Sequence, residues 1–150
     1  MSTLFVFLHH LAAVTVMVCA LISLVQLRQP LDLKRARLLR GTDMVNGIAA
    51  TLVLAVGLVR VFHFEKGAAY YFHSAPFIAK LALYGLASVL SLVPTLEILR
   101  WRVPLRHGLL PSVSTQQLVR MRRVAYWQLA CVLAMAVCAT LAARGIGVIE

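Results

Sequence analysis

The sequence predicts an all-α integral membrane protein, a four-helix bundle whose two termini both lie on the extracytoplasmic side. Composition, four apolar segments and the placement of the basic residues support this prediction. Of the 150 residues, 61% are hydrophobic and only 13% are charged. A chain of this size cannot bury so much apolar surface in a water-soluble core, so lipid must be its solvent.

Four uninterrupted apolar segments predict the helices of a single transmembrane domain that covers residues 1–150. We expect the helices at about residues 4–27, 44–62, 76–98 and 124–143. Each segment is close to the ~20 residues that cross about 30 Å of hydrocarbon. No Lys or Arg precedes the first segment, which is also too long for a cleaved signal peptide, so we expect it to remain as helix 1.

The basic residues give the predicted orientation, because eleven of the fifteen Lys and Arg lie in two segments, one after helix 1 and one after helix 3. Those loops share one side of the membrane, and the positive-inside rule makes that side the cytoplasm of a bacterial inner membrane. The net charge of +10 therefore reflects topology, and nucleic-acid binding is not expected. The eleven residues are Arg28, Lys34, Arg35, Arg37, Arg40, Arg100, Arg102, Arg106, Arg120, Arg122 and Arg123.

The two basic loops carry local signals of their own. Leucines among the basic residues between Pro30 and Gly41 predict a short interfacial helix that ends at Gly41 and contacts anionic lipids. Thr42 and Asp43 then suit the N-cap of helix 2. Ser114 suits the N-cap of a helix that begins in the cytoplasm and runs on into helix 4.

Small side chains recur every four residues on two helices, and such ridges allow close helix packing. They predict packing seams, and they also suit a homo-oligomer or a membrane partner subunit. The ridges are Gly47, Thr51 and Ala55 on helix 2, and Ala130, Ala134, Cys138 and Ala142 on helix 4. All three cysteines lie inside apolar segments, so no disulfide framework is expected.

Ionisable residues cluster at the predicted extracytoplasmic end of the bundle, and such residues are costly within a membrane. Four of the five histidines lie there, and only His107 lies elsewhere. Neutral imidazole is a common ligand of haem iron, copper and zinc, while Arg and Lys can neutralise haem propionates or a quinone oxygen. We therefore predict a site for haem b or a quinone, with His9, His10, His63 and His73 as candidate metal ligands and Arg60 and Lys80 as further cofactor contacts.

Helix geometry limits this ligand set. Because His9 and His10 are adjacent, their side chains point about 100° apart on a helix, so at most one of them faces a given interior point. We favour His10, which shares a helix face with Met17. His63 and His73 are candidates for opposing ligands.

Other functions stay open at this point. In a copper-handling protein, His63 and His73 would collect the ion and deeper Met and Cys side chains would act as soft ligands. In a non-catalytic subunit or assembly factor, the small-residue ridges would contact the partner, and the histidine cluster would be part of an interfacial belt of aromatic and basic residues. No nucleophile with a base, phosphate loop or carboxylate pair is recognisable, so hydrolysis is not expected; whether the protein is an enzyme stays open.

Three segments carry a resemblance to known proteins: HHL in helix 1, RVFHFEKGAAYYFH after helix 2 and LRWR after helix 3. Over nearly its whole length the chain resembles an uncharacterised family of small bacterial four-helix membrane proteins, known as a domain of unknown function. More distantly, the early His in helix 1 and the Lys in helix 3 are similar to the CopD-like group, which includes copper-resistance proteins and HemJ-type protoporphyrinogen oxidases. That resemblance implies haem b bound by His9 or His10, with Lys80 as a charged site residue.

Overall fold

The computed structural model describes residues 2–64 and 73–144, and this part of the chain is almost entirely helical. Four of its helices are long and apolar enough to cross a membrane. They are α1 (Ser2–Leu27), α2 (Leu33–Val59), α3 (Ala75–Arg100) and α5 (Thr115–Ala143), and the short α4 (Arg102–Arg106) lies between the last two. A π-helical turn, Arg60–Phe64, continues α2. The predicted all-α architecture with four membrane spans is therefore confirmed.

The second helix begins before the basic residues of its loop. Asp32 is the N-cap, with an extended backbone and a side chain that accepts a hydrogen bond of 2.7 Å from the backbone N–H of Arg35. From there α2 runs without a break to Val59. One helix thus covers both the basic segment and the membrane span.

The prediction of a separate interfacial helix that ends at Gly41, with Thr42 and Asp43 capping the next helix, is wrong. A glycine inside a helix costs only about 1 kcal/mol relative to alanine. Burial of Leu39 and Thr42, which flank Gly41, favours continuing the helix instead. Tertiary packing therefore overrides the local stop signal.

The beginnings of α3 and α5 agree with the sequence. Pro76 lies in the first turn of α3, where its missing N–H has no helical partner to lose. Ser114 caps α5 by accepting a hydrogen bond of 3.2 Å from the backbone of Gln117, whose side chain accepts one of 2.7 Å in return. Gln117 also donates from Nε2 to Glu97 of α3 at 3.1 Å, so this cap ties two helices together.

The long helices pack as two hairpins, α1 with α2 and α3 with α5, which meet mainly where α1 contacts α5. Arg28, just after α1, adds to that junction by donating from Nε to the hydroxyl of Tyr126 at 3.0 Å. A buried apolar cluster lies at the end of the bundle that carries the basic loops. Its members are Leu24, Leu27, Ala36, Leu39, Ile98, Trp101, Leu105, Met121 and Ala125.

The two small-residue ridges differ in how far they are buried. Gly47, Thr51 and Ala55 are all exposed, so this ridge forms no buried seam within the described part of the chain. Its contact with another copy or a partner subunit stays a prediction. On α5, Ala142 is buried and Ala130 is exposed. Small side chains permit close approach between helices but do not enforce it, because lipid tails are as apolar as another helix.

Candidate functional site

The structure separates the predicted site residues by burial. His9 is buried, with only 9% of its surface exposed. The other three histidines of the predicted cluster are exposed, whereas the two cations are partly buried. The exposed set is His10, His63 and His73, and the partly buried set is Arg60 and Lys80. Residues 65–72, which follow the π-helical turn in the sequence, lie outside the described part of the chain.

His9 points inward because it belongs to the buried face of α1. Ala12 and Cys19 are buried on the same side, in the spacing that one face of an α-helix requires. His10 is turned about 100° away, and its Nδ1 lies 2.7 Å from the carbonyl oxygen of Val6 in its own helix. The interior ligand candidate on α1 is therefore His9, where the sequence alone favoured His10.

Gly57 of α2 makes the space for the His9 ring. A Cβ at position 57 would lie 3.1 Å from Cε1 and 3.5 Å from Nδ1 of His9. The first distance is shorter than the 3.5–4.0 Å at which carbon atoms normally rest against each other. A glycine here lets α2 approach the imidazole directly. A glycine inside an apolar helix is a sequence signal for such an approach, but Gly41 and Gly47 in the same helix carry the same signal.

The protein satisfies only part of the hydrogen-bonding capacity of the His9 ring. It makes a hydrogen-bonding interaction with the backbone of Val53. Its Nδ1 is buried and has no hydrogen-bond partner in residues 2–64 and 73–144. A buried polar atom without a partner costs about 1–3 kcal/mol, so a bound group that bonds it would be stabilising.

Two cations act on this imidazole. Lys80 of α3, Arg60 of the π-helical turn and His10 of α1 all interact electrostatically with His9. Three separate elements, α1, the end of α2 and α3, thus place basic groups around one buried ring. In a medium of low dielectric, such an arrangement attracts an anion or the negative end of a carbonyl dipole. We call His9, Gly57, Arg60 and Lys80 the His9 site.

The described residues do not form a multi-ligand metal centre. Within residues 2–64 and 73–144, no three His, Cys, Asp or Glu side chains come together as metal ligands do. Cys19 and Cys131 are buried and Cys138 is partly buried, all as free thiols. The buried His9 ring therefore has two cations acting on it, and the exposed ring of His10 lies at a centroid distance of 6.0 Å.

Comparisons with known proteins agree with the sequence and the fold. No curated protein and no solved structure matches the chain. One family model covers residues 1–147, which includes the four membrane spans and the His9 site. The chain belongs to the family described as predicted membrane protein (DUF2214), whose function is unknown.

Proposed function

We propose that this protein is a redox subunit of the bacterial inner membrane that binds a quinone headgroup at the His9 site. The observation that carries the proposal is the buried Nδ1 of His9, which has no hydrogen-bond partner in the described part of the chain. A quinone is a lipid-soluble molecule whose polar atoms are two carbonyl oxygens. It can enter from the bilayer and present one oxygen to this nitrogen.

The charges around His9 suit the chemistry of a quinone. Reduction places negative charge on the quinone oxygen, and the cationic groups of Arg60 and Lys80 stabilise that charge in a medium of low dielectric. A neutral imidazole that donates from Nε2 to the backbone carbonyl of Val53 has a lone pair on Nδ1. That lone pair accepts a hydrogen bond from a hydroxyl of the reduced quinone, the quinol. Val61 and Phe77, both buried at this end of the bundle, add apolar surface near the site.

Haem b is the second candidate, because an imidazole nitrogen without a hydrogen bond can also bond iron. The fit is partial. His9 would supply one nitrogen ligand to the iron, while His10, His63 and His73 are exposed and α2 contacts the His9 ring closely at Gly57. Arg60 and Lys80 would hold the propionates. Haem would supply one-electron chemistry when bound.

Quinone binding is tested with His9→Ala and a matched control, His10→Ala, which removes an exposed imidazole from the same helix. The purified protein is titrated with a short-chain quinone in its reduced, quinol form, and the quinone that copurifies is extracted and quantified. Loss of one hydrogen bond, about 1.4 kcal/mol, should weaken binding about tenfold in His9→Ala. His10→Ala should bind like the wild type.

Equal quinone affinity in the two variants, or no binding by the wild type, would exclude the quinone proposal. An absorption spectrum of the same preparation from haem-replete cells tests the second candidate. A Soret band that is lost in His9→Ala and retained in His107→Ala would establish haem. A colourless preparation without stoichiometric metal would exclude both haem and copper as cofactors.

We also propose that anionic lipid binds at the basic end of the bundle. Two shallow grooves at the α3 and α5 surfaces share Arg120, and Arg100 and Arg123 line one groove each. Clustered guanidinium groups at a membrane surface attract phosphate headgroups. Lipid extracts of Arg120→Gln should contain less copurified anionic lipid than wild-type extracts, and an unchanged content would contradict the assignment.

A further inference from the structure

A stripe of polar side chains runs along α3 on the side that faces α2. The hydroxyl of Tyr84 donates to the carbonyl oxygen of Ala50 at 3.0 Å. Three turns further on, the hydroxyl of Thr95 donates to Oδ1 of Asp43 at 2.8 Å. Because both bonds reach α2, the face of α3 between these two positions is turned toward α2.

Three further polar residues of α3 lie on this same face, whereas Glu97 and Arg100 near its end lie on the opposite side. Lys80, Ser88 and Ser91 project within about 40° of Tyr84 around the helix axis. Successive members are three or four residues apart, which is about 4.5–6 Å along the axis. All five members of the stripe, Lys80, Tyr84, Ser88, Ser91 and Thr95, are partly buried. Tyr84 and Thr95 bond α2 directly. We call this face of α3, together with the part of α2 that it meets, the α2–α3 seam.

The serine hydroxyls leave acceptor sites in the seam. Ser88 donates to the carbonyl of Tyr84 at 2.8 Å, and Ser91 donates to that of Ser88 at 2.6 Å. A hydroxyl that donates to its own helix keeps its oxygen lone pairs. Each serine can therefore still accept a hydrogen bond from water.

The α2 side of the seam carries two polar groups that need further partners. Asp43 makes no ion pair within residues 2–64 and 73–144, and an unpaired carboxylate inside a membrane span is costly. Asn46, one turn further into the membrane, has a buried Oδ1 without a hydrogen-bond donor in the same part of the chain. Water satisfies such groups where there is room for it, and α2 contacts α3 much less than it contacts α1.

We propose that the α2–α3 seam is a hydrated proton path between the end of the bundle with the basic loops and the end with the His9 site. Asp43 exchanges protons with water at the basic end. Each proton then moves along hydrogen-bonded water that is held by Asn46, the two serines and Tyr84, and it leaves at the level of Lys80. The path carries protons only, so no bond to carbon forms or breaks and no electron is transferred. Each proton taken up at Asp43 is released at the level of Lys80. It does not depend on what binds at His9.

The experiment measures proton flux through the purified protein in liposomes. Vesicles contain a pH-sensitive dye, and a potassium diffusion potential set with valinomycin drives protons inward. Wild-type vesicles should acidify faster than protein-free vesicles. In Asp43→Asn, which retains an oxygen acceptor for Thr95 but no exchangeable acid, the rate should fall to that of protein-free vesicles. The matched control is Asp32→Asn, the same change at the exposed N-cap of α2, and it should leave the flux unchanged.

Equal flux in wild-type and Asp43→Asn vesicles would overturn the proposal, and so would wild-type flux no greater than that of protein-free vesicles. Circular dichroism and the yield of incorporated protein show whether each variant is folded. If Asp43→Asn does not incorporate, Tyr84→Phe decides the question, because it removes only a hydroxyl midway along the seam. Wild-type flux in Tyr84→Phe would then exclude this route.

Discussion

Replacing Gly57 by alanine is the sharpest test of the His9 site, because it adds one methyl group at a known distance from the ring. The new Cβ would lie 3.1 Å from Cε1 of His9, several tenths of an ångström inside a normal carbon contact. Overpacking of this kind costs about 1–3 kcal/mol in the free energy of unfolding. The change also brings a gain in helix propensity of at most about 1 kcal/mol.

Gly47→Ala separates the two effects. Gly47 lies in the same helix, and a Cβ there would meet nothing within 4 Å. This variant therefore gains the helix propensity of alanine without steric overlap with another side chain. Because the propensity contributions cancel in the comparison, Gly57→Ala should be less stable than Gly47→Ala by about 1–3 kcal/mol.

Thermal unfolding in detergent measures this difference, which corresponds to roughly 2–4 °C per kcal/mol for a chain of this size. A displaced imidazole should also bind quinone more weakly, so the affinity of Gly57→Ala is measured alongside. Equal melting temperatures for the two glycine variants would refute the close approach between α2 and the His9 ring.

Two further predictions concern topology and the α5 cap. A reporter that is active only in the cytoplasm should work when fused at Lys34, and one that is active only outside should work at Tyr70, because basic loops stay inside. The reverse result would show that the bundle has the opposite orientation. Gln117→Ala should lower the free energy of unfolding by about 1 kcal/mol, since it removes a capping contact and the bond to Glu97. Gln116→Ala, at the exposed neighbouring position, should change it little, and equal effects of the two would argue against the cap.

The histidine pair on α1 shows where sequence reasoning stops. Helix geometry predicts that only one of the two faces a given interior point, and the structure agrees with that much. Which one does so depends on the rotation of α1 about its own axis. That rotation is set by packing against α2 and α5, and it buries His9 while His10 bonds its own backbone.

The sequence does not reveal the α2–α3 seam, for a related reason. Tyr84, Ser88, Ser91 and Thr95 could be recognised as one polar helix face, but their partners on α2 could not. The sequence favours Asp43 as an N-cap, because Gly41 is typical of a helix end. Only the continuous helix through Gly41 places Asp43 inside a span, opposite Thr95.

The sequence by itself determined the number and approximate length of the membrane spans, the Ser114 cap of α5 and the family. These properties depend on local composition and on neighbours within one turn of helix. The tertiary structure alone decided that His9 faces Gly57, that Asp43 meets Thr95 and that the ridge at Gly47 faces outward. The physical reason is that lipid and protein interior are both apolar, so a membrane helix carries little sequence pattern that distinguishes its inner face from its outer face.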